Sequence, residues 1–174
     1  DQTKDFLGNE FVTWLWHEAD RKDGYVAVGE DEVAVLFEEA LEMECVFGAT
    51  GKAALRSAGP TQMPEAAAAL RTGKVPRKCG LTLQNAAGQF TFNFSAETFA
   101  VSGLKLPEVP DADTPRVLFE ERITLLRDFC ALLDGLYDSF LKVRMNGTWE
   151  AATNGMRRWI AAGRNSQKRE MAAV

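Results

Sequence analysis

The stretch LTLQNAAGQFTFNF, residues 81–94, decides the fold class of this chain. Two leucines alternate with polar residues before the Asn-Ala-Ala-Gly segment, and three phenylalanines alternate with polar residues after it. Alternation with a period of two is typical of strands with one buried face, and a short Gly-containing break between two such runs indicates a hairpin turn. The stretch therefore predicts two antiparallel strands whose large apolar side chains face a common core.

Further strands are predicted on both sides of this hairpin, each a short run rich in apolar or β-branched residues. They span residues 25–28, 32–37, 41–46, 51–57 and 98–104. The segment Lys-Val-Pro-Arg-Lys at residues 74–78 is interpreted as a connection that leads out of the short helix ending near Gly73 and toward the hairpin. The result is an antiparallel sheet over about residues 25–104.

Helices are predicted on either side of the sheet region and once within it. In the first, apolar residues recur at helical spacing, and the cationic turn Arg21-Lys22 followed by Gly24 ends it. The predicted helices span residues 6–20, 64–71, 114–144 and 148–162. The expected fold class is α+β, an antiparallel β-sheet flanked by an N-terminal amphipathic helix and long C-terminal helices.

A chain of 174 residues suits a single domain. We expect one α+β domain over residues 1–174, with a sheet-rich part at 25–104 and a helical part at 112–163. The first residues resemble no signal peptide and include no initiator Met, so we expect a piece of a longer protein. No run of about 18 apolar residues occurs, so no membrane partner is expected.

The cysteines and the single histidine give little sign of catalytic or metal chemistry. Cys45, Cys79 and Cys130 are far apart among apolar neighbours, which predicts buried thiols in a reducing cytoplasm. His17 has no second histidine to share a metal and no nucleophile beside it, and we interpret it as a helix cap. We therefore expect no enzyme activity, no metal and no cofactor.

The same window around His17 is rich in aromatic residues. Phe11, Trp14 and Trp16 lie on the predicted first helix. Because aromatic side chains bury large apolar areas, the prediction is that they pack this helix onto the sheet.

Charge changes sign along the chain, although the net charge is −5. Residues 1–50 carry three basic and thirteen acidic side chains, whereas residues 51–110 carry seven basic and three acidic ones. The basic side chains of greatest interest are Lys52, Arg56, Arg71, Lys74, Arg77 and Lys78. Such a cluster is either an ordinary solvated surface or a rim that binds the phosphates of duplex DNA without reading bases.

Several segments together resemble the bacterial recombination-associated RdgC family. FLGNEFVTWLW at residues 6–16 is similar to the segment FLGxEFLTWLW of many members. EAAAALRTGKVPRKCGLTL at residues 65–83 resembles the family's short helix, its Gly-Lys stop and the basic entry into a strand. Residues 90–106 and the long terminal helix follow in the family's order, so the resemblance covers nearly all of the chain.

The resemblance implies a non-enzymatic, nucleoid-associated cytoplasmic protein that binds double-stranded DNA without sequence preference and modulates RecA-dependent recombination. It also implies a homodimeric ring in the full-length protein, RecA as a possible partner, and no cofactor. Carried over by position, the DNA-facing residues are Arg71, Lys74, Arg77 and Lys78. The family's N-terminal portion has no counterpart here, and Ser-Ala-Gly-Pro at residues 57–60 replaces its polar and basic residues.

An alternative interpretation stays open from the residues themselves. The chain could be a protein–protein interaction or oligomerisation module whose DNA contacts lie in the missing upstream region. The acidic first third and the aromatic first helix support this alternative.

Overall fold

A computed structural model describes residues 2–45, 51–109 and 114–162. The helices are α1 (Gln2–Arg21), α2 (Pro64–Arg71), α3 (Pro115–Met145) and α4 (Trp149–Ala162). The strands are β1 (Tyr25–Val28), β2 (Asp31–Cys45), β3 (Lys52–Ser57), β4 (Lys74–Asn85), β5 (Gly88–Ser95) and β6 (Ala100–Lys105). The α+β prediction is confirmed. None of the helices described here is long and apolar enough to cross a membrane.

The six strands form one antiparallel sheet organised around β2. Strand β4 pairs along most of one edge of β2, from Ala34 to Cys45, and β5 and β6 follow beyond it. On the other edge, β1 pairs with the first part of β2 through Val28 and Asp31, and β3 pairs with the last part through Lys52 and Glu44. Strands β1 and β3 therefore lie end to end along the same edge of β2.

The prediction of two separate strands at residues 32–37 and 41–46 was wrong, because β2 is continuous. The register against β4 shifts between Glu38 and Leu41, and Glu39 takes a φ of 60°. The shift is a bulge of two extra residues, so the buried side chains on either side of it still face the same way. A Cβ at Gly80 would lie 2.2 Å from the carbonyl oxygen of Glu38, which explains why a glycine faces the bulge.

The interpretation of residues 74–78 as a connection was also wrong, because these residues begin β4. Lys74 pairs with Cys45 and Pro76 with Met43, next to a second register shift that starts at Glu42. Proline is tolerated at such an irregularity because its missing N–H is not required by a regular ladder. The basic segment is therefore part of the sheet itself.

The aromatic residues of α1 pack this helix against the sheet and the other helices, as predicted. Phe11, Trp14 and Trp16 are at most 4% exposed. The Phe11 ring contacts Phe94 of β5 at a centroid distance of 5.8 Å, and Trp16 contacts Phe37 of β2 at 6.1 Å. Because each buried aromatic ring contributes about 2 to 3 kcal/mol, these contacts hold the helical layer on one face of the sheet.

The prediction that all three cysteine thiols are buried is only partly confirmed. Cys79 is fully buried, and burial raises the pKa of its thiol to about 12. Cys45 is partly buried. Cys130 is exposed on α3, so the prediction was wrong for this residue, because its position on the helix turns it away from the core.

Candidate functional site

The sheet face opposite the helices carries mostly small and polar side chains. Residues that pair across antiparallel strands share a face, so Glu42, Lys78, Ser95 and Ala100 form one row across β2, β4, β5 and β6. In a neighbouring part of this face, the Thr82 hydroxyl donates to a Glu38 carboxylate oxygen at 2.7 Å. We call this surface the open face.

The fold brings the six predicted basic residues to one end of the sheet. Strand β3 supplies Lys52 and Arg56, and the last turn of α2 supplies Arg71. Strand β4 begins three residues later and supplies the rest. Both strands lie beside the last part of β2, one on each edge. We call this region the basic end, and its members are Lys52, Arg56, Arg71, Lys74, Arg77 and Lys78.

Three of these cations lie on the open face. Lys52 is paired with Glu44, Arg56 with Ala40, and Lys78 with Glu42. Positions 40, 42 and 44 are alternate residues of one strand, so their side chains point to the same side. Arg56 and Lys78 are exposed, so both cations are accessible to a ligand on the open face.

Arg77 occupies a different setting from the others. Its guanidinium lies 3.8 Å from a carboxylate oxygen of Glu44 and 3.6 Å from one of Glu97, and only 23% of its side chain is exposed. It therefore joins β2 to the turn after β5. Lys52 also lies near Glu44, at 3.7 Å, but its side chain is 81% exposed, and an exposed pair of this kind contributes little.

Arg71 and Lys74 flank the turn between α2 and β4. The Arg71 Nε donates to the carbonyl of Ala67 at 3.3 Å, which keeps the side chain along the exposed end of the helix. The Lys74 Nζ donates to the Thr72 hydroxyl at 3.2 Å. Neither contact neutralises the positive charge, so both cations remain able to bind an anion.

A groove of about 310 Å³ opens on the same face beside Lys78. Its lining includes Glu42 and the polar side chains of Asn93, Ser95 and Ser102. Amide and hydroxyl groups of this kind donate hydrogen bonds to phosphate and sugar oxygens in complexes with nucleic acids. Asn93 and Ser95 alternate with the phenylalanines of β5, and Ser102 of β6 pairs with Asn93, but the local sequence did not mark these three residues as a site.

Many acids of the first third lie away from the basic end. On α1, Glu10 accepts a hydrogen bond from Arg144 at 2.9 Å, and Asp20 accepts one from the Trp159 indole at 2.8 Å. Helix α1 packs on the face of the sheet opposite the open face. The acids at the basic end include Glu42, Glu44 and Glu97.

Glu18 is the most strongly perturbed of the α1 acids. Burial on its own raises the pKa of its carboxyl, but His17 and Arg21 outweigh that effect and lower the pKa to about 2. The Arg21 guanidinium lies 2.6 Å from Glu18, and the His17 Nδ1 lies 3.5 Å from it. The carboxylate is thus ionised and internally paired.

His17 packs in the helical layer instead of acting as the cap that its position suggested. Its ring contacts that of Trp159 with a centroid distance of 5.4 Å, and α1 continues to Arg21. Within residues 2–45, 51–109 and 114–162, no group of three or more His, Cys, Asp or Glu side chains could hold a metal ion.

No protein-family model matches this chain, and no curated protein matches it. The resemblance to the RdgC family therefore stays a prediction from the quoted segments.

Proposed function

We propose that this chain binds double-stranded DNA through the basic end of the sheet, contacting phosphates without reading the base sequence. The observation that carries the proposal is that β3, α2 and β4 bring cations to one end of one sheet. Four of them are exposed: Lys52, Arg56, Arg71 and Lys78. The members that would contact phosphates are Lys52, Arg56, Arg71, Lys74 and Lys78. Arg77 holds the strands in place through Glu44 and Glu97.

The chemistry of the open face suits a nucleic-acid backbone. Lysine and arginine side chains displace condensed counterions from the phosphates, which provides affinity independent of sequence. Asn93, Ser95 and Ser102 add neutral donors beside Lys78. Glu42 and Glu44 repel phosphate and limit how closely the backbone approaches, so we expect modest affinity that falls steeply with salt.

The resemblance to the RdgC family extends this proposal to recombination. A protein that occupies duplex DNA non-specifically obstructs a recombinase that must act on the same duplex. We therefore propose that the chain modulates RecA-dependent strand exchange by occupying DNA. Inhibition of RecA-dependent strand exchange should disappear in variants of this chain that no longer bind the duplex.

The direct test is fluorescence anisotropy with a labelled random-sequence duplex at several salt concentrations. The logarithm of the affinity should fall linearly with the logarithm of the salt concentration. Each phosphate contact should contribute about −0.9 to the slope of that line. The double variant Arg56→Ala with Lys78→Ala should bind more weakly, and its slope should be smaller by up to about 2. Both residues are exposed, so folding should be unaffected.

A matched control removes the same charge from the helical side of the molecule. Arg157 and Arg158 of α4 are also exposed, and changing both to alanine should leave most of the affinity. Equal losses from the two double variants would mean that only the net charge matters. A salt-independent affinity, or none at low salt, would exclude the DNA proposal. Oligomers that never bind DNA would favour the alternative of a protein–protein module.

A further inference from the structure

The groove beside Lys78 exists because the residues on its floor are small. Ala40, Gly80 and Ala100 line it and contribute no side chain larger than a methyl group. A larger residue cannot replace Gly80, because its Cβ would lie 2.2 Å from the carbonyl oxygen of Glu38 in the bulge of β2. The volume of about 310 Å³ is at the lower limit of the range for small-molecule sites. The bulge therefore leaves room for a small ligand on an otherwise flat sheet.

The neutral polar side chains of the groove have unused hydrogen-bonding groups. Within the described residues, no hydrogen bond uses the side chain of Asn93, Ser95 or Ser102. Asn93 and Ser102 are paired residues of β5 and β6, and both are exposed. A Cβ at Gly103 would lie 3.2 Å from the Asn93 Nδ2, so the glycine at this position keeps the amide uncrowded. These three side chains offer both donors and acceptors to a ligand.

Two opposite charges lie next to each other in the lining of the groove. Lys78 and Glu42 are directly paired residues of β4 and β2, and both are exposed. Residues paired in this way have Cβ atoms about 5 Å apart. Neither residue takes part in an ion pair within the described part of the chain. Glu42 repels a simple anion that approaches Lys78, so the two charges together favour a ligand with an anionic group and hydroxyl donors.

We propose that this groove binds a phosphorylated ribose, either as the free sugar phosphate or as part of a ribonucleotide. Lys78 binds the phosphate, and Ser95 and Asn93 donate further hydrogen bonds to its oxygens. Glu42 accepts hydrogen bonds from the neighbouring hydroxyls of the ribose, as an acidic side chain does for the ribose of bound dinucleotides. Two neighbouring hydroxyls present two donors to the two oxygens of one carboxylate. Deoxyribose lacks one of these hydroxyls, so the groove discriminates against it.

The groove shares Lys78 with the surface proposed for duplex DNA, but the ribose site does not depend on that proposal. A ribose phosphate in the groove occupies Lys78 and therefore hinders duplex binding there. Glu42 has opposite effects on the two ligands, because it repels the phosphates of DNA and binds the hydroxyls of ribose. Removing its carboxylate should strengthen duplex binding and abolish the preference for ribose over deoxyribose.

The test is a titration of the isotope-labelled chain with ribose phosphate, in which NMR measures the shifts of the backbone amide signals. The signals of Gly80, Asn93 and Ser102 should shift and reach saturation. Deoxyribose phosphate and inorganic phosphate should bind at least several-fold more weakly. The absence of saturable shifts, or equal affinity for the three compounds, would overturn the proposal. Adenosine monophosphate distinguishes the two sources: tighter binding than ribose phosphate supports a ribonucleotide, and equal or weaker binding supports the free sugar phosphate.

Two variants with matched controls assign the contacts in the groove. Lys78→Ala should weaken the binding of ribose phosphate at least several-fold, whereas Lys105→Ala, which removes an exposed cation of β6 outside the groove, should not. Glu42→Ala should remove the preference for ribose over deoxyribose, and Glu32→Ala, at an exposed position of the same strand, should retain it. A preference that survives in Glu42→Ala would overturn the proposal. A wild type that binds ribose phosphate and no duplex would exclude the DNA proposal alone, and the converse result would exclude the ribose site alone.

Discussion

Arg144 and Glu10 join the last turn of α3 to α1, with the Arg144 Nε donating to a Glu10 carboxylate oxygen at 2.9 Å. The same guanidinium lies over the Trp149 ring, 4.9 Å from its centroid, which adds α4 to the contact. Burial raises the pKa of Glu10 even though Arg144 acts to lower it. The pair is therefore partly desolvated and depends on both partners being present.

Removing one partner of this pair should destabilise the protein more than removing a surface pair. Arg144→Ala leaves the Glu10 carboxylate in its partly buried position without this donor, so we expect a loss of about 1 to 3 kcal/mol in the free energy of unfolding. Urea denaturation at pH 7 measures it. Arg116→Ala, which removes the exposed pair with Glu120, should cost no more than about 0.5 kcal/mol. Equal losses would contradict the argument.

The ionised Glu18 should make stability depend on acid pH. Its pKa in the folded protein is about 2, below the ordinary value of 4.5. The stabilisation is therefore complete above pH 4.5 and is lost as the pH falls toward 2. The free energy of unfolding of the wild type should exceed that of Glu18→Gln by about 1 to 3 kcal/mol at pH 7, and by little near pH 2.

The control for that measurement is Glu30→Gln, at an exposed position in the turn between β1 and β2. It should change stability little at either pH. A difference between the wild type and Glu18→Gln that stays constant from pH 7 to pH 2 would show that the hydrogen-bond geometry matters and that the charge does not.

Phe11 in the core and Phe119 on α3 differ sharply in their exposure to solvent. Phe11 is 1% exposed and contacts the rings of Phe94, Tyr137 and Phe140. Phe11→Ala should therefore cost about 3 to 5 kcal/mol in the free energy of unfolding. Phe119→Ala makes the same chemical change at a 65% exposed position and should cost less than about 0.5 kcal/mol at low protein concentration. Thermal and urea unfolding of both variants give the comparison.

Periodicity predicted the elements whose local sequence agrees with their environment. Strand β5 alternates buried and more exposed side chains, so its pattern was visible in the sequence, whereas β4 buries residues 79–83 on both faces although its leucines alternate with polar residues. Helix α2 begins at Pro64 and ends at Arg71, as its proline and following glycine indicated. The join within β2 was missed because three residues, 38–40, separate the two alternating apolar runs, whereas pairing with β4 across a bulge keeps the strand continuous.

The candidate site was predictable as a set of residues and not as a surface. The basic residues stood out by composition, and β2 brings β3 and β4 together beside it. The contacts of Glu44 and Glu97 with Arg77 could not be predicted, because Glu44 lies on β2 and Glu97 lies in the turn after β5, far from each other in the sequence. The distribution of charge along the chain shows where acidic or basic residues are in local excess. Only the strand register decides which acid lies beside which base.

Gly8 marks the place where α1 approaches the turn after β5 most closely. A Cβ at this position would lie 1.8 Å from the carbonyl oxygen of Ala96. That carbonyl cannot move away freely, because the Ala96 N–H donates to the carbonyl of Arg77 at 2.8 Å. The glycine in the segment FLGNEF is therefore required by packing between backbone segments.

Gly8→Ala should lower the free energy of unfolding by about 1 to 3 kcal/mol, although alanine is the better helix former. Gly155 of α4 provides the matched comparison, because a Cβ there would meet only the His17 ring, at 3.9 Å. Gly155→Ala should raise stability by about 0.5 to 1 kcal/mol. Urea denaturation of both variants decides the matter. If Gly8→Ala were as stabilising as Gly155→Ala, the close approach of α1 to Ala96 would be wrong, and with it the backbone link from this helix to Arg77 at the basic end.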